Sequence, residues 1–453
     1  MTLDVVILAA GKGTRMRSAL PKVLHPLAGK PMVRHILDTA AGLDAERTHV
    51  VVGHGADTLR EALADYAVNF ALQAEQKGTG HAVAQSLDQL GDGKVLVLYG
   101  DVPLIRRDTL RALLAPVDEQ HMALLTVTLE DPAGYGRIIR DEAGDAVAIV
   151  EQKDAGEAQR AVRECNTGIM AMTAQQLRRW LPRLSAENAQ GEYYLTDVIA
   201  MAAADGVTVA TAQPTRPVEV EGVNDRRQMA RLERTLQADI ADDLMAQGVA
   251  LRDPARLDVR GQLQCGHDVE IDVSCIFEGH VELGEGVKVG PHCVIRDSHI
   301  GAETVIEAHS VIEGAVVAGH NQLGPFARLR PGTRLAVGAR VGNFVETKNV
   351  EVGEGSKINH LSYVGDARLG QGVNVGAGTI TCNYDGANKH HTEIGDDAFI
   401  GSNTALVAPV SIGKGATVGA GSTINRDVAE NTLAVERSRV VSKDDWQRPT
   451  KRG

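Results

Sequence analysis

The chain has 453 residues, enough for two or three domains, and 47 Lys and Arg against 59 Asp and Glu give a net charge of -12. No long basic run offsets that balance, so a general nucleic-acid surface is excluded and any anion site must be a local cluster of cations. Cys165, Cys265, Cys275, Cys293 and Cys382 are scattered and never spaced C-x-x-C, which points to reduced thiols in a cytoplasmic protein and excludes a structural zinc site.

The first apolar run, Val5 to Ala10, has no basic region before it and is too short for a signal peptide or a membrane span; it predicts a strand. The strand ends in "GKGTRM", residues 11 to 16. A dinucleotide fingerprint fails here because Met16 replaces its last glycine, and a P-loop fails because Gly13 follows Lys12. What remains is a flexible loop whose N–H groups, with Lys12 and Arg15, can face a polyphosphate.

Through about residue 225, short β-branched runs alternate with helical patterns. "HVVVG", "VNFAL", "KVLVLYG" and "MALLTVTL" predict strands; "MVRHILDTAAGL", "TLREALADY" and "HAVAQSLDQL" predict helices. The alternation predicts a doubly wound, largely parallel α/β sheet with ligands beyond the carboxyl ends of its strands. From Asp225 to Gln247 one helix is predicted, with Leu232, Leu236, Ile240 and Leu244 on a stripe and Asp225 and Gln228 at capping-box spacing. The divisions are 1–226, a helical linker 227–247, and 248–453.

In the last division the period becomes six. Val317, Leu323, Leu329, Leu335 and Val341 form one run, Val352, Ile358 and Val364 a second, and Ile394, Ile400, Leu406, Ile412, Val418 and Ile424 a third. A hexapeptide repeat is the signature of a parallel β-helix, whose coils bury their apolar residues only by stacking. The largest interruption, "TCNYDGANKHH" at 381–391, must leave the prism as a loop.

Several motifs stand in order: "LAAGKGTRM", "PKVLHPLAGKPM", "QAEQKGTGHA", "LYGDVPL", "GYGRI", "VEQKDA", "CNTGI" and "EGVND". They resemble a sugar-1-phosphate nucleotidyltransferase. With the hexapeptide half, nearly the whole chain resembles the bifunctional N-acetylglucosamine-1-phosphate uridylyltransferase/glucosamine-1-phosphate acetyltransferase family. The resemblance implies a Rossmann-like N-terminal domain and a left-handed β-helix. It also implies a homotrimer with acetyl sites between neighbouring prisms, and UTP, N-acetylglucosamine 1-phosphate, glucosamine 1-phosphate and acetyl-CoA as substrates.

By the same resemblance, Leu8, Ala9, Ala10 and Gly11 would form the nucleotide loop; Lys12 and Arg15 would approach the β- and γ-phosphates, and Lys22 the reacting ones. Gln73, Gln76, Gly78 and Thr79 would read the uracil edge. Tyr99, Gly100, Gly136, Glu151, Asn166 and Thr196 would complete the nucleotide and sugar site. Asp101 and Asn224 would hold Mg²⁺, since two oxygen ligands leave room for waters and substrate phosphates.

In the second half His360 is the candidate base, because an ammonium cannot attack a thioester and an imidazole titrates near working pH. Arg330, Lys348, Tyr363 and Asn374 would hold the sugar phosphate, and Glu346 is a candidate to orient His360. Ala377, Asn383, Tyr384, Ser402, Ala420 and Arg437 match the family's acetyl-CoA positions. Two other functions compete. A monofunctional nucleotidyltransferase with a structural β-helix has no need of His360 beside Arg330 and Lys348, and a regulatory subunit has no need of Lys22, Asp101 and Asn224.

Overall fold

In the computed structural model, which describes residues 1–451, the chain divides into two units, Met1–Leu236 and Gln237 onward. The first is built on a sheet with strand order Thr208–Ala212, His121–Thr128, Glu164–Thr173, Lys94–Tyr99, Leu3–Leu8, Arg47–Val52, Asn69–Leu72. Side chains alternate across it. Val5, Ile7, Leu96 and Leu98 enter one buried cluster, while Val6, Val95 and Val97 enter another on the opposite face. Such double burial is what makes these strands continuous apolar runs, each full burial being worth about 1.5–3 kcal/mol.

The sheet is parallel except at Glu164–Thr173, which runs antiparallel to both neighbours, and in the hairpin Arg137–Arg140 with Ala146–Val150. Of that long strand, only "CNTGI" stands out in the sequence. Its direction follows from the hairpin before it, which reverses the chain without a crossover helix.

The helix Arg226–Ala246 starts as expected at Asp225, whose carboxylate accepts the N–H groups of Arg227 and Gln228, both at 2.9 Å. The box closes one residue early: Gln228 Oε1 accepts the Asn224 N–H at 2.7 Å, not that of Asp225. Leu232 packs in the first unit and Ala241 and Leu244 in the second. The unforeseen member is Gln237, buried, which accepts the Val259 N–H at 2.8 Å and donates to the Val259 carbonyl at 2.7 Å. Two strand groups that would otherwise be buried without partners are thereby satisfied.

The second unit is a parallel β-helix. Its ladders advance by near-equal steps: Gln322 pairs with Arg340, Arg340 with Lys357, Lys357 with Asn374, and Phe399 with Thr417. Every residue of the three six-residue runs lies in one continuous core. Stacked Ser and Thr hydroxyls close the turns: Ser310, Thr333, Thr379, Thr404 and Ser422 each donate to the carbonyl three residues earlier. The interruption at 381–391 falls between Asn374 and Phe399, which pair although 25 residues apart. It forms a short hairpin bridged at Tyr384 and Lys389, with Asp385 accepting the N–H groups of Ala387 and Asn388.

Two buried imidazoles in the first unit give it a pH dependence. Burial lowers the His49 pKa below its ordinary 6.5; burial and then Arg226 lower that of His25. Between 6.5 and those lowered values the unfolded chain binds protons that the folded chain refuses, so stability falls as pH falls through this window. The melting temperature is expected to drop between about pH 7.5 and about pH 5.5, and to drop less in His49→Gln. Thermal denaturation followed by circular dichroism checks this, and equal drops contradict it.

Candidate active sites

Parallel pairing of Leu8 with Val51 and with Tyr99 puts the chain after Leu8 beside Gly100 and Asp101. The Gly100 N–H donates to the Leu8 carbonyl at 2.9 Å, and a Cβ at Gly100 would fall 3.2 Å from that oxygen. Gly13 turns the loop at φ 60°, where a Cβ would fall 2.6 Å from the Lys22 Cβ. The loop therefore folds onto Lys22 only because two positions lack side chains.

The Lys22 ammonium donates to Asp101 Oδ2 and, at 3.4 Å, to Asn224 Oδ1; the Arg15 guanidinium donates to the same Asn224 oxygen at 2.7 Å. Asn224 is steadied from behind by Gln228, and Val223 donates its N–H to the Asp101 carbonyl at 2.9 Å. One cation thus already touches both oxygens. Their hardness and small number suit a divalent ion that completes its shell with phosphate and water.

Beside this cluster lies a cleft of about 230 Å³ lined by Leu8, Ala9, Ala10, Gly11, Lys22, Gln73, Gln76, Gly78, Thr79, Tyr99 and Asp101, all expected, and by Val23, Ala82 and Glu192, which were not. Gln73 is buried and donates to the Gly78 carbonyl at 3.1 Å. Gly78, at φ 107°, lets the segment around Tyr193 approach: a Cβ there would fall 2.6 Å from the Tyr193 carbonyl. The Thr79 hydroxyl accepts the Leu195 N–H at 3.1 Å. Lys12 is exposed in the loop.

The remaining first-unit residues gather around Glu151, near Tyr99. Burial, then the carboxylates of Asp101 and Glu151, push the Tyr99 hydroxyl pKa up. Burial also raises that of Glu151, against the Thr196 hydroxyl bonded to it. Gly136 leaves room for Glu151, since a Cβ would stand 3.2 Å from its Oε1. The Gly136 carbonyl accepts the Asn166 N–H at 2.9 Å, and Asn166 Oδ1 accepts that of Gly168 at 2.8 Å.

In the second unit, register sorts the candidates onto two ladders. On one, Asn343 pairs with His360, and the pairs Ile358–Val375, Val375–Ile400 and Ile400–Val418 put Ala377, Ser402 and Ala420 at successive levels below it. His360 is exposed, and its Nδ1 lies 2.9 Å from Asn343 Oδ1. Asn374 stands on the same sheet, paired with Lys357. Arg437 lies exposed after the last strand, Leu433–Ala434, outside this column.

On the other ladder Leu329 pairs with Thr347 and Lys348 with Gly365, so Arg330 and Lys348 are neighbours. Lys389, from the hairpin, is the third cation: its ammonium first, and Arg330 next, lower the Lys348 pKa below 10.5. The Tyr363 hydroxyl lies over Gly365 and accepts from Asn383 Nδ2 at 3.3 Å; that amide also donates to Asp366 at 2.5 Å. Tyr384 is exposed, its hydroxyl on the Gly386 carbonyl at 2.6 Å. Glu346 does not orient His360. Its Oε1 accepts from Arg330 at 2.8 Å, because the register sets it beside Arg328 on this ladder, while Asn343 faces His360 on the neighbouring one.

Residues 5–188 match the MobA-like NTP transferase domain, and residues 391–426 match the bacterial transferase hexapeptide (six repeats). The bifunctional protein GlmU of Chromohalobacter salexigens is 71% identical over 451 residues, 100% of each chain. The chain belongs to the bifunctional GlmU family. GlmU proteins of Marinobacter nauticus and Stutzerimonas stutzeri are 60% and 59% identical, with 99% and 100% of each chain covered. Membership in the GlmU family makes this chain a bifunctional transferase, with an NTP-transferase half and a hexapeptide half.

Like charges at Lys348 and Lys389 oppose protonation, so relieving them must raise the pKa. In this GlmU-family chain Lys389→Ala is expected to return the Lys348 titration toward 10.5, as read by NMR of isotopically labelled lysine. An unchanged titration would show that Lys389 stands elsewhere in solution.

Proposed function

We propose that the chain makes UDP-N-acetylglucosamine in two steps, feeding synthesis of peptidoglycan and lipopolysaccharide precursors. Acetyl-CoA first acetylates the amine of glucosamine 1-phosphate in the 248–453 division. N-acetylglucosamine 1-phosphate then attacks the α-phosphorus of UTP in the 1–226 division, and pyrophosphate leaves. The helix 227–247 connects the two. Residues 452 and 453 lie outside the described residues.

The observation that carries this reading is full-length similarity to bifunctional relatives, together with a separate polar cluster in each unit. In the uridylyl step Lys12, Arg15 and Lys22 offset charge on the triphosphate, and the amides of Gln73 and Gln76 contact the base. Mg²⁺ is assigned to Asp101 and Asn224, where it supplies charge neutralisation for the phosphoryl oxygens. Glu151, with Asn166, Thr196 and the Gly136 backbone, accepts and orients sugar hydroxyls.

In the acetyl step Arg330 and Lys348 take the sugar phosphate, joined by Lys389. Three cations held together repel one another until an anion binds, which favours this reading over a purely structural β-helix. With its Nδ1–H donated to Asn343, His360 keeps the Nε2 lone pair to accept the amine proton as nitrogen attacks the thioester carbonyl. The C–S bond then breaks and coenzyme A leaves as the thiol. Tyr363 and Asn374 hold the sugar, Asn383 and Tyr384 lie over the reacting groups, and Ala377, Ser402, Ala420 and Arg437 take the coenzyme. The trimer and the cytoplasmic location belong to this proposal as well; among the described residues no helix is long and apolar enough to cross a membrane.

A product assay with glucosamine 1-phosphate, acetyl-CoA, UTP and Mg²⁺, omitting one component at a time, tests the sequence of steps. His360→Ala is expected to lower acetylation by about 10²–10⁴-fold and leave uridylyl transfer intact. Asp101→Ala is expected to do the reverse and to change the magnesium dependence. Equal loss of both activities in either variant would refute separate sites.

A further inference from the structure

The Gln73 amide is held in a way that leaves it a single face for a ligand. Its Nε2 donates to the Gly78 carbonyl at 3.1 Å and lies 3.1 Å from His81 Nδ1. A carbonyl oxygen can only accept, so the Gln73 atom beside Gly78 has to be the nitrogen. Both its hydrogens are then spoken for, one by Gly78 and one by His81 Nδ1, which therefore carries a lone pair. Gln85 Nε2 stands farther off, 3.3 Å from the other ring nitrogen, and has the His81 backbone carbonyl as its acceptor at 3.0 Å. We assign the Nδ1 lone pair to the shorter contact, that of Gln73. Among the described residues Gln73 Oε1 has no hydrogen-bond partner, and it is not sealed from the cleft that Gln73 lines.

We propose that His81 is a positioning residue for nucleotide selection: by taking the second amide hydrogen of Gln73, it makes Gln73 present only a hydrogen-bond acceptor to the base. This rests on the proposed contact between Gln73 and uracil. A pyrimidine with a ring N–H, as in uracil, pairs with that oxygen. Cytosine brings a ring nitrogen lone pair to the same place and meets acceptor against acceptor. Gly78 pins the amide by one hydrogen bond and His81 by a second, so loss of the imidazole makes it easier for the amide to turn over and offer its N–H₂ instead. The imidazole behind it is the second anchor on which the selection depends.

The test is the ratio of kcat/KM for UTP to that for CTP in the uridylyl reaction of the full chain, with acetyl transfer by the same preparation as the check on folding. His81→Ala is expected to lower the ratio by about tenfold or more, chiefly by making CTP a better substrate. His81→Gln, which returns an acceptor on a side chain of similar reach, is expected to restore part of it. Gln73→Ala is run beside them. If Gln73→Ala lowers the ratio and His81→Ala does not, the positioning role is overturned while the base contact stands. If neither changes it, the base contact falls and the proposal with it. A His81→Ala enzyme that loses activity equally with both nucleotides would show a structural role only, and also overturns the proposal.

Discussion

Parallel pairing decides which residues of distant sequence stand at one level, and both sites depend on it. In the first unit the pairs Leu8–Val51 and Leu8–Tyr99 end three strands together, so the loops after them open at one edge of the sheet. A shift of one residue in the Leu3–Leu8 strand would exchange Val6 with its neighbours across two buried faces, and the loop holding Lys22 would lose Gly100 as its floor. In the second unit the near-equal step of the coil brings Arg330 to Lys348 and Asn343 to His360. No side chain chooses these neighbours; the backbone does.

On that frame the two units carry charged clusters of different kinds. The first sets Lys22 and Arg15 against the oxygens of Asp101 and Asn224, a mixed cluster in which a divalent ion can share the charge. The second sets three cations close enough that the Lys348 pKa is lowered, an effect opposed by Asp366 nearby, while Glu346 pairs with Arg330. The mixed cluster is at ease before a substrate arrives; the cationic one is not. A repulsive cluster on a prism otherwise stabilised by apolar stacking makes sense where a dianion is the ligand.

Much of this was legible in the sequence because it has a period or a glycine. The six-residue runs became the core of the β-helix without exception, and the glycine turn lies where the first strand predicted it. What escaped has neither. Lys389 sits in an interruption without repeat, and only folding of the hairpin carries it to Lys348. Asn343 and Glu346 are three residues apart on one strand-rich stretch; which of them faces His360 depends on the corner between two ladders, and residue type favoured the wrong one. Gln237 stands outside the apolar stripe and satisfies a strand, and Glu192 reaches the cleft from a segment with no motif.

The central claim is that coil register, with Lys389 brought in by the hairpin, assembles a cationic phosphate site in the prism. A crystal structure of the chain with glucosamine 1-phosphate bound tests it most directly. The account predicts the phosphate in contact with Arg330, Lys348 and Lys389 and the amine turned toward His360 Nε2. A phosphate bound away from these three side chains, with the amine out of reach of His360, would contradict it.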